Sequence, residues 1–276
     1  MKVILHGNKS KNLEGLVKDL GFEIVSKNPD IVISYGGDGT MLSTERKYPG
    51  IPTLPIRNSE FCNKCTKHDD KKVLENLLVG KLKLTEQKKL HTKVNGRDLY
   101  ALNDFVIRNT DAAHAIRFKV KHATPSELII GDGIVIATPF GSTGYFKSIT
   151  RETFTDGFSL AFNNTTKKIA PIYFDQDEID ESTHDLTVGV SSLDRTSSGS
   201  GKHTTSQSRF YRDEQDNFTN VEFELIRGKA VLTFDNSPEF FTLSEGTKLK
   251  FNLSDKVAKI YMDSSLRCPD CKVIRD

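Results

Sequence analysis

Three stretches of this chain combine residue types that act on phosphates and sugars. The first is Gly36-Gly37-Asp38-Gly39-Thr40, which follows the apolar run from Ile31 to Tyr35, IVISY. Glycines let backbone amides approach a phosphate closely, and a helix that starts there adds partial positive charge. Asp38 is a poor phosphate ligand, since both are anionic. It suits contact with a metal ion or acceptance of a hydroxyl proton. Glycines also mark ordinary turns. This loop, however, leaves a strand and enters a helix, which is where open α/β sheets bind ligands.

The second stretch, Leu102-Asn103-Asp104-Phe105, sets an amide and a carboxylate at the start of an apolar strand. Such a pair forms Asx turns at strand boundaries, and it also suits contacts to a ribose or a base. The third runs from Gly131 to Tyr145, GDGIVIATPFGSTGY. Its small residues permit close approach, its hydroxyls donate and accept, and Tyr145 offers an aromatic face. A plain β-turn does not require all of these together.

Four cysteines form two CxxC pairs, Cys62 with Cys65 and Cys268 with Cys271. Four thiolates at this spacing can hold one tetrahedral zinc. Disulfides are the competing reading, and intracellular proteins of some hyperthermophiles contain them. In Ser197 to Ser208, SGSGK imitates a phosphate loop, but Thr196 stands where a glycine is required and His203 where Ser or Thr is required. The segment reads as a loop.

The elements that must position these residues follow from hydrophobic periodicity. Residues 3–5, 22–25, 30–34 and 51–56 read as strands, and residues 12–20, 41–47 and 71–78 as helices. Prolines at 52 and 55 suit an edge or a strand end. Strands alternating with helices imply an α/β domain with a mostly parallel, Rossmann-like sheet over residues 1–84. Beyond residue 84 the chain becomes β-rich. Val94-Asn95-Gly96-Arg97 is a hairpin signal. Strands are expected over 99–108, 116–120, 127–130, 134–138, 184–191, 221–226, 230–234, 248–253 and 258–262. This second domain spans 85–262, and a tail with the last CxxC occupies 263–276.

The composition frames these readings. The chain has 276 residues, 36% of them hydrophobic and 28% charged, with a net charge of +2. A core is expected, and wholesale nucleic-acid binding is not. The N-terminus lacks the apolar core of a signal peptide and no run spans a bilayer, so a cytoplasmic protein with no membrane partner is expected.

GGDGT, then NDF, then DGxxxxTPxGSTxY, in that order, resembles the NAD kinases, from residue 1 to about 262. GGDGT alone is shared with diacylglycerol-type lipid kinases. The resemblance implies an α/β domain, a β-rich NAD-binding domain and a site between them. It implies phosphorylation of the 2′-hydroxyl of the adenosine ribose of NAD, with ATP or another donor and Mg²⁺ or another divalent cation. By matching position, Gly36, Gly37, Gly39 and Thr40 would face phosphate, and Asp38 would be the base. Asn58, Asn103, Asp104, Asp132, Thr143 and Tyr145 would contact NAD. In the family the residue matching Asp132 can come from a neighbouring subunit, which implies a homodimer or homotetramer. The family's tail often returns to the first domain, which would bring the two CxxC pairs together.

This chain departs from the family at Ser59 to Cys65, Phe140, Gly144, 148–154 and Asp235-Asn236-Ser237, where Asp-Gly-Gln is usual. A lipid kinase, or an NAD(P) sensor without turnover, are the alternatives. Lys9, Lys147 and Arg151 are candidate phosphate partners, read first as surface charges.

Overall fold

The computed structural model describes residues 1–58, 69–121, 128–174 and 220–262. The chain begins with β1 (Lys2–His6), a 3₁₀ turn over Ser10–Leu13, and α1 (Glu14–Asp19). Then come β2 (Glu23–Ile24), β3 (Ile31–Gly36), α2 (Asp38–Lys47), β4 (Thr53–Arg57) and α3 (Asp70–Leu78). A run of strands follows: β5 (Lys83–Val94), β6 (Arg97–Ala101), β7 (Asp104–Asn109), β8 (Ile116–Lys121), β9 (Leu128–Gly131) and β10 (Gly133–Ala137). Helix α4 (Tyr145–Thr150) interrupts it. The remaining strands are β11 (Phe158–Asn163), β12 (Ile172–Phe174), β13 (Asn220–Arg227), β14 (Ala230–Phe234), β15 (Phe241–Leu243) and β16 (Lys248–Met262).

Two sheets result. The first runs β2-β1-β3-β4-β16-β13-β8-β9, with β5 and β6 added beside β16. Its β1, β2, β3 and β4 pair in parallel, as the alternating pattern requires. The second, β12-β11-β10-β7-β14-β15, is antiparallel throughout. The expected α/β part with a β-rich part is therefore what forms. Strands from both sides of residue 84 share the first sheet, because β16 lies against β4 and β5.

The main core lies between the sheets and is rich in phenylalanine, with Phe105, Phe118, Phe158, Phe223 and Phe251 fully buried. A second core packs α1 and α3 on the parallel strands through Val17, Leu74 and Leu77. A small third cluster ties α2 to its neighbours. Met41 and Leu42 of α2 meet Leu102, Phe140, Ala258 and Ile260 there. Phe140, the departure from the family pattern, is core filling that joins α2 to the loops before β7 and after β10. The buried pair Lys89–Glu45 adds a second tie between β5 and α2.

Several expectations are corrected. Helix α2 begins at Asp38, three residues early, because Gly37 caps it. The strand expected over 99–108 is two strands broken at Leu102-Asn103, where the backbone amides turn to a side chain from elsewhere. The strands at 248–253 and 258–262 are one, with a bulge between Ser254 and Val257. Strand β4 is not an edge, although it touches β16 at one position only, Thr53 with Ile260. Pro55 lies just beyond and has no N–H to continue that ladder. Helix α4 has no visible helical period, being six residues long and bounded by Gly144 and a left-handed Arg151. The strand expected over 184–191, the loop at 197–208 and the tail lie outside the described residues.

Candidate active site

Strand β3 is buried along five of its six residues and delivers the glycine loop at the carboxyl end of the parallel sheet. A Cβ on Gly36 would lie 2.3 Å from Thr40 Oγ1, so the turn into α2 tolerates glycine alone. Of the first-turn amides of α2, that of Thr40 donates to Gly37 O at 3.0 Å. Asp38 and Gly39 are solvent-exposed there. Asn58 flanks the loop, its amide donating to Gly36 O at 3.1 Å.

Asn103 and Asp104 are held from a distance. The carboxylate of Asp235 accepts the amides of Leu102 at 2.7 Å, Asn103 at 2.6 Å and Asp104 at 3.4 Å. Arg46 of α2 donates to the backbone oxygen of Asp235. From the other side, Thr138 donates its hydroxyl to Leu102 O and its amide to Asn103 O. A Cβ on Gly141 would lie 2.1 Å from Asn103 O, so the TPFGST turn packs directly on this backbone. The structure thus brings the glycine loop, Asn58, Asn103, Asp104 and the turn containing Thr143 together around the Met41–Phe140 cluster.

The side-chain oxygen of Asn103 is buried and has no hydrogen-bond partner among the described residues. An orphaned buried acceptor is costly, and a ligand donor at this position would satisfy it. Asp132 lies elsewhere. It sits at the opposite end of β10, roughly 15 Å away by strand rise, where it accepts from Asn164 at 2.9 Å. Tyr145 reaches toward that end, its hydroxyl accepting from Asn163 at 3.2 Å. Cys62, Cys65, Cys268 and Cys271 lie outside the described residues, and with them the choice between zinc and disulfides.

Asp104 and Asp235 form a buried acidic pair, 8% and 2% exposed. Burial, then the charge of Asp235, pushes the Asp104 carboxyl up to about 7. Burial raises Asp235 to about 6, against the three amides and Arg46 that favour its charged form. Asp235 therefore ionises first. Both groups bind protons more tightly in the folded than in the unfolded chain. Their contribution to stability is present below about pH 4 and is lost as pH rises through about 6 to about 7. Asp104→Asn is expected to flatten this decline, as read by urea unfolding at about pH 5 and about pH 7.5. Equal slopes in wild type and variant would contradict the assignment.

Asp235 was the site residue that motif reading missed. It appeared only as a departure from the family pattern, and its partners lie more than a hundred residues earlier.

Fold and site together define an α/β protein whose glycine loop opens into α2, a helix tied to the Leu102 turn and to the buried Asp104–Asp235 pair through Met41, Leu42 and Arg46. No protein-family model matches the chain. Curated relatives do. An NAD kinase from Sulfurisphaera tokodaii is 32% identical over 148 residues, 51% of this chain and 57% of that protein. One from Aquifex aeolicus is 31% identical over 158 residues, 49% of this chain and 58% of that protein. The chain thus spans a little over half the length of these relatives. An NAD kinase from Archaeoglobus fulgidus, solved in complex with ATP, superposes over 96% of this chain and 95% of its own, with a TM-score of 0.67 and 16% identity. At that identity the likeness is one of fold. The resemblance read from the motifs is borne out: over about half its length the chain is similar to NAD kinases.

Proposed function

We propose that this protein is an NAD kinase, transferring a phosphoryl group from ATP or another donor to the 2′-hydroxyl of the adenosine ribose of NAD. The observation that carries this reading is the packing of the TPFGST turn onto the Asn103 backbone beside the helix that the glycine loop opens, with an Asn103 side-chain oxygen that has no partner among the described residues. Such an arrangement lets one face hold donor phosphate while the other holds a ribose.

Phosphoryl transfer asks the protein for alignment and charge neutralisation. In the step, the ribose oxygen forms a bond to the terminal phosphorus while the bond from phosphorus to the donor's bridging oxygen breaks. The hydroxyl proton passes to the Asp38 carboxylate, and the shortened donor leaves. Among the described residues no three His, Cys, Asp or Glu side chains converge as a metal cage. That donor set suits a Mg²⁺ carried on the donor phosphates and water, with Asp38 the loop's only carboxylate. When bound, such an ion neutralises phosphate charge.

In this reading residues 1–84 supply the donor side together with Asn58 of the NAD side, and 85–262 supply the other NAD contacts. Asp132 faces a neighbouring copy in a homo-oligomer. The protein works in the cytoplasm; among the described residues no helix is long and apolar enough to cross a membrane. The test is a coupled assay for NADP formation from NAD, ATP and Mg²⁺. Turnover is expected. Absence of both turnover and calorimetric NAD binding, with phosphorylation of diacylglycerol instead, would overturn the reading.

A further inference from the structure

Helix α2 is seated by few apolar contacts. Met41 and Leu42 are its buried hydrophobic residues, and beside them it buries Thr44 and Glu45. Burying Glu45 is unfavourable by itself. Its carboxylate meets Lys89 of β5, with the two side chains 5% and 8% exposed. The oxygen Oε1 takes both the Lys89 ammonium and the Gly50 amide, the latter at 3.2 Å. The other oxygen, Oε2, is buried with no hydrogen-bond partner among the described residues. Attraction in a buried ion pair offsets desolvation only when the remaining lone pairs are satisfied. This pair leaves one oxygen bare, so stability is a poor account of it. What it does provide is a directional contact between α2 and β5.

What that contact fixes follows from helix geometry. Residues three, four and seven positions apart lie on one face of a helix. Counted from Asp38, those positions are Met41, Leu42 and Glu45. Asp38 is therefore the exposed end of the stripe on which α2 is seated, roughly 10 Å along the axis from Glu45. Met41 and Leu42 of that stripe meet Leu102, Phe140, Ala258 and Ile260, and Glu45 meets Lys89. Leu90, next to Lys89 in β5, turns into the main core. By strand alternation Lys89 stands on the opposite face, where α2 lies.

A second tie comes from another direction. Arg46, roughly 100° further round the helix than Glu45, donates to the backbone oxygen of Asp235. Lys89 belongs to the first sheet, and Asp235 follows β14 of the second. Held from both sheets by adjacent residues, α2 has little freedom to rotate or slide.

We infer that Lys89, acting through Glu45, is a positioning residue for Asp38: the buried pair sets the rotation and height of α2, and so the point at which the Asp38 carboxylate meets a ribose hydroxyl. The inference rests on the kinase reading for the role of Asp38. Two apolar side chains alone would hold α2 at several nearby rotations, since apolar contact is non-directional. A displacement of about 1 Å at a reacting group can lower a rate by roughly 100-fold.

The test uses the full chain with Glu45→Leu and Lys89→Met together. Replacing both partners of a buried pair by apolar residues of similar volume is often neutral or stabilising, so position separates from stability. The urea midpoint is expected to stay near the wild-type value. The kcat for NADP formation is expected to fall about 10-fold or more, with KM for NAD and for ATP within about twofold. In an Asp38→Asn background the same two substitutions should change the residual kcat by less than about twofold, because effects routed through one residue do not add. An unchanged kcat, a loss carried in KM, or an equal further loss in the Asp38→Asn background would overturn the assignment. Should the double variant not fold, Glu45→Asp takes its place with the same expectations, since it keeps the charge and shortens the reach by one methylene. Amide hydrogen exchange decides the matter without turnover. In the folded variant the amides of Met41 to Lys47 are expected to exchange about 10-fold faster or more, with those of β1 and β3 unchanged. If the wild type makes no NADP, that pattern upholds the seating of α2 by Lys89 while the kinase reading falls. Equal exchange in both proteins would sink it.

Discussion

Asp38→Asn is expected to leave the fold intact and to lower the proposed NADP formation by about 10²–10⁴-fold, the usual range for loss of a positioned general base. Asp38 is exposed in the first turn of α2, so the amide substitution disturbs no buried packing. It keeps the shape and the glycine turn on either side. In the proposed step it removes the capacity to take the ribose proton as the bond to phosphorus forms. The loss should therefore fall on kcat, with NAD and ATP KM changed little. The check is steady-state kinetics beside thermal unfolding. Near-normal kcat in a folded variant would remove Asp38 from the role of base and leave the loop as a phosphate cradle.

Asp235→Ala is the largest structural effect expected. It strips a common acceptor from three buried amides, those of Leu102, Asn103 and Asp104. Each unsatisfied buried donor costs about 1–3 kcal/mol. Relief of the repulsion with Asp104 offsets part of this, so a net destabilisation of about 2–5 kcal/mol is expected. Asp235→Asn should cost less. Its retained oxygen can still accept from Asn103 and Asp104, and the conflict narrows to the Leu102 amide. Removing the charge should also let the Asp104 carboxyl titrate lower, since Asp235 contributes to its rise. Urea unfolding ranks the three proteins. Wild-type stability in Asp235→Ala would show that water or backbone rearrangement replaces the carboxylate.

The parts of the site legible in the sequence were those with local signatures. GGDGT follows an unbroken apolar strand, and its glycines have one physical use there, which the contacts at Gly36 make explicit. Asn103-Asp104 was legible as a polar pair in an apolar setting. The parallel sheet was legible because apolar strands alternate with helical patterns. The role of Asp235 was not, because a side chain that accepts amides more than a hundred positions earlier leaves no periodicity. Nor was Phe140, whose meaning lies in what α2 and β16 bring to it. Strand β16 looked like two because Ser254-Asp255-Lys256 interrupts the apolar pattern, and the bulge at that point carries the strand through. Helix α4 was hidden by its shortness.

The single contact between β4 and β16 has a consequence for how the chain is made. Thr53 emerges from the ribosome about 200 residues before its partner Ile260, a wait of roughly 10–40 seconds at about 5–20 residues per second. Throughout that interval the nascent parallel sheet presents β4 as a raw edge, the kind of surface on which neighbouring chains pair. Pro52 and Pro55 withhold two of the main-chain donors such pairing would use. The prolines that shorten the finished ladder are thus guards for the unfinished one, and the sheet carrying the glycine loop is completed only once β16 has been made.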